Sequence, residues 1–259
     1  MAYTGGNAGY VRRLGKIPST TPSVPTTPAA GYSAWFDATD ITTLFQDAAG
    51  TVPVTTDNDP VGRWVSKGGS VSGTYASIPP GGYHPLRWSN NSLDLGTELY
   101  PRLTVNKTVA QLLDPVVLSK GTLFAVMGSD NASTTGFIRS EGWFNFVAIS
   151  ASASTSEAYD TGAVSASIAG DVRGVPNVYT YLRNDASISH GRSDTRTASL
   201  ATTACGAASG AGGIIFTYDV LTVRPIYYEI VMYPTVLSEA DRKLTEQYLA
   251  NKYGITLPY

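Results

Sequence analysis

From Trp35 onward the chain alternates short apolar runs with stretches rich in Gly, Pro, Ser, Thr, Asn and Asp, the punctuation that separates strands in an all-β domain. The clearest runs predict strands over 122–127, 143–150, 178–183, 213–218 and 226–233. Polar residues are too sparse in Trp143-Phe-Asn-Phe-Val-Ala-Ile and Tyr227-Tyr-Glu-Ile-Val-Met-Tyr for a wetted outer face, which puts these two strands at sheet centres. Residues 151–172, dominated by Ser, Ala, Thr and Gly, predict a long loop or a weak edge strand. One helix is predicted, over 239–252. Ser238 supplies its N-cap, Asp241 a capping-box-like acid, and Gly254 its stop. Ala240, Leu244 and Tyr248 fall on one face of it, with Leu249 beside them. The fold class that follows is all-β: an antiparallel sandwich closed by a short C-terminal helix.

Ahead of this domain the pattern changes. Residues 1–17 place Tyr3, Tyr10, Val11 and Leu14 among glycines and beside Arg12, Arg13 and Lys16, with neither helical nor strand period. Residues 18–31 carry Pro18, Pro22, Pro25 and Pro28, which remove backbone donors and favour an extended spacer. The division expected is an attachment arm over 1–17, a spacer over 18–31 and one sandwich domain over 32–259. The arm cannot form a core alone. Ordering it is repaid only on a partner, with the four apolar side chains filling pockets and the three cations meeting acidic groups at the rim.

Charge narrows the partners. With 18 basic and 20 acidic residues the formal net charge is −2, so no positive excess attracts a nucleic acid. Only 15% of residues are charged, which predicts that neighbours cover part of the surface, as in a homo-oligomer. The single Cys205 rules out an intrachain disulfide framework and reads as a small packed residue. The opening Met-Ala-Tyr-Thr-Gly-Gly lacks the basic-then-apolar order of a secretory signal, and no apolar run is long enough to span a membrane. Cytoplasmic synthesis without signal-peptide export is expected.

Candidate chemistry is thin. Glu98, Glu141, Glu157, Glu229, Glu239 and Glu246 are scattered, the last two on the helix predicted to be solvated. They make no Glu-x-Asp-x-x-Glu set of the kind that lets one carboxylate attack a sugar while another donates a proton. His84 and His190, expected in loops, have no nucleophile-elbow motif beside them to build a Ser triad. A non-enzymatic protein is therefore expected. Asp57 and Asp59 offer oxygen ligands of the type calcium takes, but without a fixed ligand spacing; no cofactor is expected, with calcium as the alternative. Tyr83, His84, Arg87 and Trp88 combine aromatic and hydrogen-bonding groups suited to a sugar ring, although a Trp in an apolar strand also serves as core. Arg183, Arg192 and Arg196 lie in a Ser/Asp-rich hairpin region, read as solvated with contact to an anionic glycan as the alternative.

Two stretches carry a resemblance. The first is Trp35-Phe-Asp-Ala-Thr-Asp-Ile-Thr-Thr-Leu-Phe-Gln-Asp-Ala-Ala-Gly-Thr-Val-Pro-Val with Asp59-Pro-Val-Gly-Arg-Trp64. The second is Tyr228-Glu-Ile-Val-Met-Tyr, Leu237-Ser-Glu-Ala-Asp-Arg and Tyr248-Leu-Ala-Asn-Lys-Tyr-Gly-Ile255. Together they resemble laminin-G-like, concanavalin A-like jelly-roll modules of bacteriophage structural proteins and bacterial surface proteins, over about residues 32–95 and 213–255. The resemblance implies a bacteriophage virion protein, a capsid decoration, head-fibre or tail-fibre component made in the bacterial cytoplasm. Its arm would bind other virion proteins, its lectin-like sandwich would project, and the resemblance implies a homo-oligomer, with the trimer common among projecting virion proteins of this kind. Because this fold serves many functions, a carbohydrate-binding adhesin that reads host-surface glycans is the alternative, and a polysaccharide depolymerase a further one.

Overall fold

The structure, a computed structural model, describes residues 24–81, 84–94, 102–112, 120–129, 137–140, 145–149, 155–160, 163–169, 176–185, 187–193, 200–204, 213–217 and 225–259. The arm expected over 1–17, together with Tyr83, Trp143, Arg196 and Cys205, lies outside the described residues.

In chain order the first strands are β1 (Ala34–Asp37), β2 (Leu44–Phe45), β3 (Pro60–Val61), β4 (Arg63–Val65), β5 (Tyr75–Ser77), β6 (Leu86–Ser89), β7 (Ser92–Asp94) and β8 (Arg102–Thr108). A single turn of helix, α1 (Val109–Leu112), leads to β9 (Lys120–Ser129), β10 (Phe137–Ser140), β11 (Asn145–Ile149), β12 (Thr155–Asp160) and β13 (Ala163–Ala169). The chain closes with β14 (Asn177–Asn184), β15 (Ser187–Arg192), β16 (Ala201–Ala204), β17 (Gly213–Thr217), β18 (Pro225–Tyr233) and α2 (Glu239–Tyr253). Among the described residues these strands form two antiparallel sheets. One runs β16-β15-β14-β9-β18-β7-β6-β3, with β1 also paired to β18, and the other runs β13-β12-β11-β10-β17-β8-β5-β4-β2.

The all-β expectation is met, and the described residues of 151–172 form β12 and β13, paired antiparallel at the edge of the second sheet. Strand alternation splits the buried side chains into two layers. Ala34, Phe36, Leu123, Ala125, Tyr179, Ile230 and Met232 point between the sheets, where Phe36, Trp64 and Phe216 meet with ring centroids 5.3–5.9 Å apart. Trp35, Phe124, Val126, Val178, Val231 and Tyr233 point to the other side, where α2 covers them with Tyr248, Leu249 and Ala250. The order is therefore sheet, sheet, helix.

The helix begins and ends as the sequence predicts. Ser238 Oγ accepts the Asp241 N–H at 3.1 Å, and Gly254 closes α2 in the left-handed region at φ 67°. The buried face is different from the expected one. Ala240 and Leu244 are exposed, whereas Arg242, Thr245, Glu246, Tyr248, Leu249 and Ala250 are buried. Polar side chains turn inward here because they find partners. Glu246 accepts Thr180 Oγ1 at 2.6 Å, Arg242 Nη1 at 3.0 and 3.1 Å, and the Tyr259 hydroxyl. Thr245 Oγ1 meets the Tyr233 hydroxyl at 3.0 Å and accepts Ala29 N at 3.1 Å. The expectation of a solvated Glu246 is thus corrected: a charged pair enters the layer because each lone pair is met.

Candidate functional site

Asp37 and Glu229 are opposite one another in the β1–β18 register. Both lie on the face covered by α2, where the register shift in β18 between Tyr227 and Glu229 sets Tyr228 against Tyr253, rings 5.5 Å apart. Two carboxylates so placed repel unless cations come between them. Lys252 comes from the last turn of α2, with Nζ 2.7 Å from Asp37 Oδ2 and 2.7 Å from Glu229 Oε2. Lys67 adds contacts of 2.9 Å to Asp37 and 3.2 Å to Asp40. Glu229, fully buried, also accepts Trp35 Nε1 at 2.5 Å, the Tyr248 hydroxyl at 2.8 Å and the Tyr253 hydroxyl at 2.9 Å. The remaining oxygen of Asp37 accepts the Thr39 N–H at 3.0 Å and the Thr39 hydroxyl at 2.7 Å.

The two carboxyls titrate in opposite directions. Burial pushes Glu229 above the ordinary range and the Asp37 charge adds to it, against Lys252 and the Tyr248 hydrogen bond. Burial also opposes ionisation of Asp37, but hydrogen bonds from Lys252, Thr39 and Lys67 outweigh it and hold Asp37 below its ordinary value. For Lys67, burial works against the charge, and Asp37 and Asp40 raise it on balance. With both oxygens of Glu229 taken by four donors, the network fixes the end of α2 on the sheet.

Above it lies an open hollow of about 490 Å³ rimmed by Trp35, Thr39, Lys67, Asn251 and Lys252, with Val24, Pro25 and Thr26 along one side. A second hollow, of about 420 Å³, adjoins Tyr253 and is bounded by Pro176, Asn177, Ser193, Ile255 and Pro258. Consecutive residues of α2, Lys252 and Tyr253, thus border two hollows. Their rims offer apolar surface, hydroxyl, amide and ammonium groups on a fixed base, the combination that holds a small polar ligand.

The residues singled out by sequence are elsewhere. Trp88 and Leu86 turn toward the core between the sheets, and Trp88 Nε1 donates to the Ala38 carbonyl at 2.9 Å. Arg87, on the opposite face of β6, reaches the Asn58 carbonyl at 3.0 Å. His84 is exposed and its carbonyl accepts Arg102 N at 3.1 Å. The structure does not bring Arg87 and Trp88 to one face. Asp59 is occupied as a turn cap, accepting Thr55 N at 2.9 Å, Thr56 N at 3.0 Å and Thr56 Oγ1 at 2.9 Å, while Asp57 Oδ1 accepts Asn90 N at 3.1 Å. Among the described residues no group of three or more His, Cys, Asp or Glu side chains is placed to hold a metal. His190 is not a loop residue but a buried member of β15, stacked on Tyr179 with centroids 6.2 Å apart. Burial, with the Arg192 charge, lowers it to about 4. Arg183 and Arg192, expected to be solvated, are buried on β14 and β15.

The network itself was missed by sequence. One signal was there: Glu229 is a lone charge inside an apolar central strand, and such a charge is seldom buried without a partner.

No protein-family model matches the chain, and no curated protein matches it in sequence. Among solved structures, Trypanosoma rangeli sialidase superposes with a TM-score of 0.58 at 12% identity, over 89% of this chain and 34% of that one. The same sialidase in complex with 2,3-difluoro-KDN gives 0.56 at 14% identity, over 93% and 36%. The botulinum neurotoxin type G receptor binding domain gives 0.43 at 10% identity, over 62% and 42%, too slight to build on. The chain spans about a third of the length of the sialidase chains it matches. At these identities the likeness shows the fold, an all-β sandwich also present in sialidases. It corrects one expectation: solved chains sharing the fold are enzymes, so the expectation of a non-enzymatic protein does not stand.

Proposed function

We propose that this chain is a carbohydrate-recognition sandwich displayed on a bacteriophage particle, and that sugars seat in the hollows flanking the C-terminal end of α2. The observation that carries the reading is the fully bonded Asp37–Glu229–Lys252 network beneath the rim formed by Trp35, Thr39, Lys67 and Asn251. A rim fixed before binding spends little of the contact energy on ordering, which matters for ligands as polar as sugars. The likeness to sialidase, one structure of which is a complex with sialic acid, supports the reading at the level of fold. A glycan array tests it. Asn251 is exposed and borders the larger hollow, so Asn251→Trp fills that hollow without touching the network. Array binding should be lost in this variant while thermal unfolding stays unchanged; a wild-type chain that retains no glycan contradicts the reading.

A second reading concerns attachment, and the course of residues 24–29 favours it. Ala29 is held at both ends of its backbone, its N–H on Thr245 Oγ1 at 3.1 Å and its carbonyl on the Tyr233 hydroxyl at 2.8 Å. A load on the segment ahead of it therefore passes into α2 and β18, as an anchored domain requires. The anchor proposed is residues 1–17, binding other virion proteins through Tyr3, Tyr10, Val11 and Leu14 with Arg12, Arg13 and Lys16 at the rim. Deleting 1–17 should leave a soluble chain with the same unfolding midpoint that no longer enters particles; incorporation at normal copy number would place attachment on the sandwich.

A further inference from the structure

We propose that Lys252 and Glu229 become covalently joined, the Lys252 amine condensing with the Glu229 side-chain carboxyl to form an amide between α2 and β18. Such a bond stands apart from anything the hollows hold. Condensation needs an amine against a carboxyl that keeps its proton, a base for the amine's own proton, and donors around the oxygen that gains charge. All of these groups are present. Nζ of Lys252 is 2.7 Å from Glu229 Oε2 and 2.7 Å from Asp37 Oδ2. The Glu229 carboxyl carbon, one bond beyond Oε2, is therefore within about 4 Å of the nitrogen. Reaction starts from a separation of about 3–3.5 Å, which a small shift of the ammonium reaches.

The surroundings divide the roles of the two carboxyls. Glu229 has no exposed surface, and burial pushes it above the ordinary range, so it is the carboxyl that keeps its proton and is open to attack. Asp37, held below its ordinary value, is the base. Lys67 faces Asp37 and Asp40, both held below the ordinary value, and so has no neutral carboxyl beside it. In the first step Asp37 takes one proton from the Lys252 ammonium. The freed lone pair then forms the N–C bond to the Glu229 carboxyl carbon, and the carbonyl pair moves onto Oε1. Trp35 Nε1 at 2.5 Å and the Tyr248 hydroxyl at 2.8 Å receive the charge there. Oε2 leaves as water, with its own proton and one from the nitrogen, and the Tyr253 hydroxyl, 2.9 Å away, is placed to relay the second. Burial, and after it the Glu229 charge, holds Tyr248 and Tyr253 above the ordinary phenol value, so both remain donors. The products are one amide, one water and a protonated Asp37 that returns its proton to solvent; nothing is oxidised or reduced. The β1–β18 register sets Asp37 opposite Glu229, and a helix capped at both ends brings in Lys252, so the three groups meet without further ordering. The bond would join the two elements on which Ala29 is held, through Thr245 of α2 and Tyr233 of β18. The ionised contacts described above belong to the chain before condensation.

The test is the mass of the full chain, measured after denaturation. Wild type should be lighter by one water than Lys252→Arg once the substitution is allowed for, because arginine keeps the cation but stays protonated and cannot attack. Tryptic digestion should leave the bond after Lys252 uncut and yield that peptide joined to the one containing Glu229. Asp37→Asn should slow condensation by at least about a hundredfold, followed as the fraction of lighter chain over time. The wild-type mass is read on the unfolded chain, so it decides the matter even where a variant folds poorly. A wild type that has lost no water overturns the proposal. So does a water lost elsewhere, as in a link from Lys252 to Asp37, and so does condensation that runs undiminished in Asp37→Asn.

Discussion

Gly69 has φ 135° and its backbone runs against the start of β1, so that a Cβ built there would stand 2.1 Å from the Ser33 carbonyl oxygen. Gly69→Ala must move backbone as well as enter a region L-residues avoid, and it should lower stability by about 3 kcal/mol. Gly254→Ala, at φ 67° with open space around it, should cost only about 1 kcal/mol. Urea midpoints of the two variants check the contrast, and equal losses would contradict the close approach at Ser33. Lys252→Met leaves Glu229 with neutral donors only and Asp37 with one ammonium, which should cost about 3 kcal/mol. The carboxyls also predict a pH dependence. Because Asp37 holds its proton more weakly in the folded chain than its ordinary 3.8, its contribution is complete above that pH and is lost as pH falls through the folded value. Glu229 acts oppositely, taking stability away as pH rises above 4.5 through its raised folded value. The stability gap between wild type and Asp37→Asn should therefore shrink as pH drops below 3.8; a gap that stays constant would show that Asp37 is not held ionised by the network. Little of this was legible in the sequence. The Thr39 hydrogen bonds of Asp37 are local, but its pairing with Glu229 and Lys252 joins segments from opposite ends of the chain.

For the elements, local chemistry was the better guide to ends than to faces. The Ser238 cap and Gly254 stop are backbone requirements and place α2 correctly, because no distant residue is needed to meet them. Which side of α2 turns inward depends on partners from β14, β18 and the last residues of the chain, and Ala240 and Leu244 lose to Arg242 and Glu246 for that reason. Burial pushes Glu246 above the ordinary range, with the Thr180, Tyr259 and Arg242 contacts acting against it. Arg242→Ala removes the cation and leaves a buried carboxylate on two hydroxyls. The expected loss is about 3–5 kcal/mol, read as a drop in the denaturation midpoint, whereas Leu244→Ser on the exposed side should change it by no more than about 0.5 kcal/mol. Comparable losses for the two would restore the apolar face that periodicity favours.

For the whole molecule, the sandwich was legible because strand runs, turn residues and aromatic anchors all act locally and agree with one another. The proposed binding face was not. Its rim is assembled from β1, the loop carrying Lys67, the end of α2 and residues 24–26, and no spacing in the sequence marks segments that meet only after folding. Tyr83, His84, Arg87 and Trp88 form a compact motif in sequence, yet alternation along β6 sends Arg87 and Trp88 to opposite faces. The central claim is that sugars seat beside the C-terminal end of α2. It is tested most directly by calorimetric titration of one array-selected glycan into the wild-type chain and into the Asn251→Trp, Thr256→Trp double variant, Thr256 being an exposed residue that borders the smaller hollow, with unfolding midpoints recorded for both. The account predicts binding to the wild type and at least about a tenfold loss in the double variant at an unchanged midpoint. Undiminished affinity in the double variant would place glycan recognition on another face of the sandwich.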